Sequence, residues 1–222
     1  MLRVAVLISG TGTNLQALLD ATGTGVVPAR IVLVVSSRED AGGLARAERA
    51  GVPTAVVRPE DYADREAFDL AIDDILRRQE IDLVCLAGWM RILGRSFVER
   101  WIDRILNIHP SLLPAFRGLE THARVLEAGL PVTGCTVHFV RPEIDAGPVL
   151  VQGIVPVLPQ DTAESLRLRV LEVEHRIYPR ALALVASGRV RVEGEKVQIA
   201  DERPGERLVV HPLVLALAAA SS

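Results

Sequence analysis

The chain has 222 residues, of which 49% are hydrophobic, and its 25 basic and 28 acidic residues give a formal net charge of -3. This composition is typical of a folded protein with a large apolar core, and the absence of a basic excess argues against nucleic acid as a partner. Lys196 is the only lysine, so residues 1–195 contain neither a Schiff-base lysine nor a Walker A nucleotide site.

The two cysteines and the chain ends favour a cytoplasmic protein with no membrane partner. Cys85 and Cys135 lie inside apolar runs, without the paired spacing of a disulfide framework or a zinc site. The N-terminus begins with a strand-like run rather than a secretory signal sequence. The apolar run Leu208–Ala220 is interrupted by His211 and Pro212 and is too short to cross a bilayer. We expect this run to pack on the domain or on a partner subunit.

In the first half of the chain, short β-branched runs alternate with longer amphipathic stretches. This alternation predicts a parallel sheet wrapped by helices. Strands are predicted at Leu2–Ile8, Arg30–Ser36, Thr54–Val57 and Asp82–Ala87. Helices are predicted at Asn14–Ala21, Ala41–Ala50 and Arg65–Gln79, with Asp40 and Asp64 as N-caps of the last two.

The second half of the chain continues the same fold and adds an antiparallel part after about Gly118. Predicted elements are a strand at Ile105–Ile108, a helix at Glu120–Ala128, strands at Val132–Val140 and Val149–Val155, a helix at Ala163–Ser187 and a hairpin around Gly194. The fold class predicted is α/β, a single-domain Rossmann-like sheet, mostly parallel and flanked by helices, with an antiparallel C-terminal extension. The domain is expected to span residues 1–200, followed by a tail at 201–222.

A glycine-rich turn separates the first strand from the first helix and consists of Gly10, Thr11, Gly12, Thr13 and Asn14. Glycines let a ligand approach the backbone, and the free N–H groups at a helix N-terminus attract an anion, so the turn predicts phosphate binding. The alternative is a tight turn with a good cap. Leu15 stands where a dinucleotide fingerprint has its third glycine, which argues against a nicotinamide cofactor.

Asn107 and His109 lie at the carboxyl end of a predicted parallel strand, where open α/β sheets place their ligands. Alternate strand residues share a face, so the two side chains can serve a reaction in which negative charge develops on a carbonyl oxygen. Asp145, in a loop bounded by proline and glycine, could orient His109. The alternatives are a structural histidine and a solvated carboxylate. His138 could face either the site or the core.

Arg65 and the run Gly88–Leu93 form a further candidate site. The run follows a predicted strand, and its mixture of apolar side chains with Arg91 suits a flat aromatic ligand that carries carboxylates. A short apolar linker is the alternative. The histidines lack metal-ligand spacing, so no metal is expected.

Five segments together resemble the phosphoribosylglycinamide formyltransferase family of folate-dependent enzymes. They are VLISGTGTNLQALLD, LAGWMRIL, LNIHPSLLPAFRG, GCTVHFVRPEIDAGPVL and EHRIYP, and they extend in order from about Val4 to Gly188. The resemblance implies transfer of a formyl group from 10-formyltetrahydrofolate to the amine of glycinamide ribonucleotide by direct attack on the formyl carbon. It implies no metal or nicotinamide and a monomer or homodimer.

The resemblance also implies a role for each candidate residue. Asn107 would bond the developing oxyanion, His109 would donate a proton, and Asp145 would orient His109. Gly10, Thr11, Gly12, Thr13 and Asn14 would hold the substrate phosphate, and Glu174 would contact its ribose. The residues that would cradle the folate are Arg65, Met90, Arg91, Ile92, Leu93, Arg141, Pro142, Glu143 and Ile144.

Three other functions compete with this interpretation. A methionyl-tRNA formyltransferase would add a basic C-terminal domain, whereas only a short tail follows Gly188. A formyltetrahydrofolate deformylase would carry a regulatory domain before the first strand, and this chain starts at that strand. A non-catalytic nucleotide-binding module would explain the glycine turn and leave Asn107, His109 and Asp145 without a role.

Overall fold

The computed structural model describes residues 1–215. The strands are β1 (Leu2–Ile8), β2 (Ala29–Ser36), β3 (Thr54–Val56), β4 (Leu83–Leu86), β5 (Ile105–His109), β6 (Val132–Phe139), β7 (Val149–Pro156), β8 (Val190–Glu193), β9 (Lys196–Ile199) and β10 (Leu208–Val210). The α-helices are α1 (Thr13–Gly23), α2 (Gly42–Arg49), α3 (Arg65–Arg78), α4 (Arg95–Arg100), α5 (Thr121–Glu127) and α6 (Ala163–Ala186).

Eight strands form one sheet in the order β10-β7-β6-β5-β4-β1-β2-β3, and β8 pairs with β9 in a separate hairpin. Strands β3, β2, β1, β4 and β5 are parallel to one another. Strand β6 runs antiparallel to both β5 and β7, and β10 lies parallel to β7. The predicted α/β fold with a mostly parallel sheet is therefore confirmed.

Apolar side chains on both faces of the sheet are buried beneath helices. In β1, Val4, Val6 and Ile8 belong to one apolar cluster, whereas the alternate residues Ala5 and Leu7 belong to the other. Helices α1 and α6 contribute to the first cluster, and α3 and α4 contribute to the second. A strand buried on both faces needs a continuous apolar run, and β1 has one.

The helix ends show one N-cap prediction to be right and one to be wrong. The Asp64 side chain accepts a hydrogen bond from the Ala67 amide at the start of α3. Asp40 is not a cap, because α2 begins after Ala41, and the Asp40 carboxylate pairs with Arg38 at 2.7 Å instead. The helix begins one residue later than predicted, which puts Ala41 rather than Asp40 at the N-cap position.

Three short elements were absent from the sequence prediction. They are α4, the 3-10 turn Pro59–Asp61, and β10, which lies within the predicted tail and pairs with β7. The rest of the tail's apolar run, from residue 216 onward, lies outside the described residues. No helix in residues 1–215 is long and apolar enough to span a membrane.

A largely buried ion pair stabilises the start of α6. Arg169 donates to both carboxylate oxygens of Asp161 at 2.6 and 2.8 Å, and the exposed fractions of the two side chains are 12% and 3%. The Leu158 amide and the Ser165 hydroxyl donate to the same carboxylate. Chiefly because of Arg169, the pKa of Asp161 lies well below its ordinary value.

We expect Asp161→Asn to lower the free energy of unfolding at pH 7 by about 2 kcal/mol, since a charged hydrogen-bonding partner is lost. A lowered folded pKa stabilises the protein above the unfolded pKa of about 3.9, and this contribution disappears as pH falls through the folded value. Urea unfolding should therefore show a smaller difference between wild type and variant at pH 3 than at pH 7.

The matched control is Asp74→Asn, since Asp74 pairs with Arg78 at 2.6 Å but both side chains are more than half exposed. This variant should change stability little at either pH. Equal losses from the two variants would contradict the role given to burial.

Candidate active site

Hydrogen bonds of Ser9 link the segments that follow β1, β2 and β4 at the carboxyl edge of the sheet. Ser9 follows β1, and its Oγ lies 2.7 Å from the Ser37 hydroxyl beyond β2 and accepts the Met90 amide beyond β4 at 3.0 Å. The Ser9 amide also donates to the Gly88 carbonyl at 3.1 Å. These bonds bring the glycine-rich turn and the run Gly88–Leu93 to the same edge, as the sequence predicted.

The glycine-rich turn packs closely against the start of α2. Gly12 has a φ of 72° at the N-cap of α1, and a Cβ added to it would lie 2.5 Å from the Gly43 Cα. Arg46 donates from Nε to the Thr11 carbonyl at 2.9 Å, a contact across 35 residues that the sequence did not reveal. The first amides of α1 have no partners within the helix, so the turn offers an electropositive site suited to an anion.

Asn14 and Glu174 meet beside this turn. The Asn14 Nδ2 donates to the Glu174 carboxylate at 2.7 Å, and both residues are more than nine-tenths buried. Burial raises the pKa of Glu174, although the Asn14 hydrogen bond opposes the rise. Asn14 Oδ1 is buried without a hydrogen-bond partner in residues 1–215. A ligand with hydroxyl or amine groups would satisfy that oxygen, because burying it unpaired is costly.

His109 and Asp145 are brought together by the loop after β6. His109 Nδ1 lies 3.3 Å from Asp145 Oδ1, and their side chains are 7% and 15% exposed. Burial alone would raise the pKa of Asp145, but hydrogen bonds from His109 and the Gly118 amide outweigh it and hold the pKa below its usual value. Asp145 is therefore a carboxylate at neutral pH, placed to stabilise positive charge on His109.

The other nitrogen of His109 faces a backbone carbonyl. His109 Nε2 lies 2.9 Å from the Phe116 oxygen, and the Gly118 amide donates to Asp145 Oδ2 at 2.8 Å. Carboxylate and carbonyl oxygens only accept hydrogen bonds, so each ring nitrogen of His109 faces an acceptor. Sequence reasoning did not identify the backbone of Phe116–Gly118 as part of the site, because backbone contacts leave no residue-type signal.

Asn107 contacts His138 rather than His109. The two residues are directly opposite in the antiparallel pairing of β5 and β6, and Asn107 Nδ2 lies 3.2 Å from His138 Nε2. Burial lowers the pKa of His138, which keeps its imidazole neutral. The sequence left open whether His138 faces the site or the core, and the structure places it in the site.

Two loops with exposed apolar side chains lie side by side. Arg95 donates to Glu143 at 3.0 Å and so joins the loop after β6 to the segment that follows Gly88–Leu93. Met90, Ile92 and Ile144 are 67%, 56% and 56% exposed. Exposed apolar side chains on neighbouring loops are typical of a binding surface for a ring system.

Other residues predicted in this region have different surroundings. Leu93 is 7% exposed and packs in the apolar core. Arg141 turns away to pair with Asp103 at 2.9 Å and Glu195 at 3.0 Å, so its side chain is committed to those carboxylates. Arg65 begins α3 beside Gly94 and is exposed. Pro142 is half-buried and Arg91 is exposed.

Comparison with known proteins places the chain among formyl transferases, whose family pattern matches residues 2–182. The chain belongs to the formyl transferase family. It is 45% identical to the phosphoribosylglycinamide formyltransferase of Haemophilus influenzae, an alignment that covers 87% of this chain and 91% of that protein. The fold and the sequence resemblance thus agree with the family match.

Solved structures of similar proteins have the same architecture. Glycinamide ribonucleotide transformylase 1 from Symbiobacterium toebii is 53% identical and superposes with a TM-score of 0.89, covering 90% of this chain and 95% of that one. A formyltetrahydrofolate deformylase from Pseudomonas syringae superposes with a TM-score of 0.83 at 27% identity. The alignment covers 90% of this chain and 66% of that one.

Some relatives are much longer than this formyl transferase. The trifunctional purine biosynthetic protein adenosine-3 of Gallus gallus is 56% identical over 86% of this chain, which spans 19% of that protein. The similarity therefore concerns one segment of the trifunctional protein.

The close contact of Gly12 with Gly43 predicts a strong effect of substitution. We expect Gly12→Ala to lower the free energy of unfolding by about 2 kcal/mol, because alanine is strained at a left-handed φ and its Cβ would collide with backbone. Gly10→Ala is the matched control, since a Cβ there meets no atom within 4 Å. Urea unfolding of both variants tests this, and equal stabilities would refute the packing argument.

Proposed function

We propose that this formyl transferase transfers the formyl group of 10-formyltetrahydrofolate to the amine of 5'-phosphoribosylglycinamide. The observation that carries the proposal is the placement of His109 against the Asp145 carboxylate at 3.3 Å, next to Asn107 on the same strand. This arrangement suits a reaction in which a neutral carbonyl becomes an oxyanion. The Haemophilus influenzae relative is a phosphoribosylglycinamide formyltransferase, which supports phosphoribosylglycinamide as the formyl acceptor.

In the proposed reaction the substrate amine attacks the formyl carbon directly, and negative charge develops on the formyl oxygen. An Asn107 N–H and a His109 N–H would donate to that oxygen and stabilise it before the bond to the folate nitrogen breaks. His109 Nε2 contacts the Phe116 carbonyl at 2.9 Å, so the formyl oxygen would take the place of this carbonyl.

Proton movement in this reaction depends on Asp145. The attacking amine must lose a proton, and the departing folate nitrogen must gain one. An ionised Asp145 beside Nδ1 would stabilise positive charge on His109, which would give a proton from Nε2 to the departing folate nitrogen and then, as a neutral imidazole, take up the proton that the amine loses. Holding Asp145 with the Gly118 amide keeps the carboxylate directed at His109.

The two substrates would occupy opposite sides of His109. We assign the phosphate to the amides and hydroxyls of residues 10–14 and the ribose to Glu174, which Asn14 holds by a hydrogen bond of 2.7 Å. The folate ring would lie against Met90, Ile92 and Ile144, whose exposure leaves apolar surface for it to cover. Arg65 and Arg91 are exposed and suit its carboxylates.

We expect His109→Ala to lower kcat for formyl transfer by about 10²- to 10⁴-fold, since the proton donor is removed. Asp145→Asn should also lower kcat strongly, because a neutral amide cannot stabilise the imidazolium. The measurement is steady-state turnover with both substrates saturating, with thermal unfolding to show that each variant is folded. Unchanged turnover in His109→Ala would overturn the proposed function and favour a non-catalytic module.

The same assay without phosphoribosylglycinamide separates transfer from hydrolysis. The proposal expects formate release from the folate to be far slower than transfer. Formate release at the transfer rate would identify a deformylase instead.

Glu174→Gln should raise the KM for phosphoribosylglycinamide about tenfold, because hydrogen bonds to a carboxylate are stronger than those to an amide. The KM for the folate should change less than about twofold. Glu172→Gln is the matched control, since Glu172 lies on the same helix but is exposed and pairs with His211. Equal KM increases for both substrates would contradict the assignment of Glu174 to the ribose.

A further inference from the structure

His138 shares a face of the sheet with the catalytic side chains. Pairing of β5 with β6 sets Asn107 opposite His138 and His109 opposite Thr136, so these four residues lie on one face. The neighbours Val137 and Phe139 point to the other face, where they join the apolar core. His138 is 1% exposed, and its two ring nitrogens contact polar atoms of Asn107 and Phe139.

Hydrogen bonding fixes the form of the His138 ring. Its Nδ1 lies 3.1 Å from the Phe139 carbonyl oxygen, which can only accept, so Nδ1 carries the proton. In a neutral imidazole the other nitrogen is then an acceptor. His109 and Asp145 are the titratable groups whose charges reach His138, and they act on it in opposite directions.

The form of the ring in turn fixes the orientation of the Asn107 amide. His138 Nε2 lies 3.2 Å from Asn107, and an accepting nitrogen needs an N–H opposite it. Asn107 must therefore present Nδ2 rather than Oδ1 to His138. One N–H of that Nδ2 bonds His138, and the second remains for another acceptor.

We propose that His138 is a positioning residue, whose Nε2 holds the Asn107 amide with an N–H directed at the formyl oxygen. This inference rests on the proposed function, because the formyl oxygen is the acceptor that Asn107 would serve. Without His138 the Asn107 amide can rotate and present its Oδ1 to the oxyanion. Two negatively polarised oxygens repel each other, so this orientation would not stabilise the oxyanion.

The first test is a double-mutant cycle on kcat. His138→Leu removes the acceptor at similar volume and should lower kcat about tenfold or more, with both KM values within about twofold. In an Asn107→Ala background the same substitution should change kcat less than about twofold, because the group on which it acts is absent. Equal losses in the two backgrounds would overturn the proposal, since a structural role makes the effects additive.

Rescue by a conservative variant strengthens the test. His138→Gln places an amide oxygen near the position of Nε2 and should retain kcat within about threefold of wild type. Thermal unfolding of His138→Leu and His138→Gln should show similar stabilities. A loss of kcat as large as in His138→Leu would count against an acceptor role.

The second test uses the wild-type protein and does not depend on activity. Long-range ¹H–¹⁵N NMR of protein labelled at histidine should show His138 as the neutral form protonated at Nδ1. Protonation at Nε2 would overturn the positioning role whatever the enzyme catalyses. Absence of formyl transfer in wild type, with the Nδ1 form observed, would instead refute the proposed function and with it the formyl oxygen as acceptor.

Discussion

The antiparallel pairing of β6 with β5 is the constraint on which the candidate site depends. Strands β1, β2, β3, β4 and β5 run in parallel, and reversal at β6 places Asn107 directly opposite His138. The backbone ladder thus sets the separation of two side chains that are 31 positions apart. A shift of one residue in this pairing would turn His138 to the opposite face and remove the partner of Asn107.

The loop between β6 and β7 adds the Asp145 carboxylate to the candidate site. Gly147, with a φ of 117°, lies so close to β6 that an added Cβ would be 2.1 Å from the Phe139 carbonyl oxygen. This tight return, together with Asp145 in the left-handed region at a φ of 47°, directs the Asp145 carboxylate back to His109. The position of the Asp145 charge therefore depends on a left-handed backbone conformation that few residue types adopt.

The sequence predicted the large elements and the candidate residues, because their signals are local. Apolar runs locate the buried strands, and α3 has a genuine cap at Asp64. Most contacts between distant segments leave no local signal in the sequence, although the approach of Asp145 to His109 is expected from it. Asn14 and Glu174 meet across 160 positions, and Arg46 reaches Thr11 from another helix. Residue type alone predicts Asp40 as a cap, but α2 begins after Ala41, so Asp40 lies outside the N-cap position and pairs with Arg38.

Arg141 connects the loop that carries Asp145 to the β8–β9 hairpin. Its guanidinium donates to Glu195 and to the Gly194 carbonyl in the β8–β9 hairpin, which lies beyond residues 2–182 that the family pattern matches. Truncation of the chain after residue 182 would remove two hydrogen-bonding partners of Arg141, which lies in the loop that carries Asp145. The β8–β9 hairpin thus supports the Asp145 loop from outside the segment that matches the family pattern.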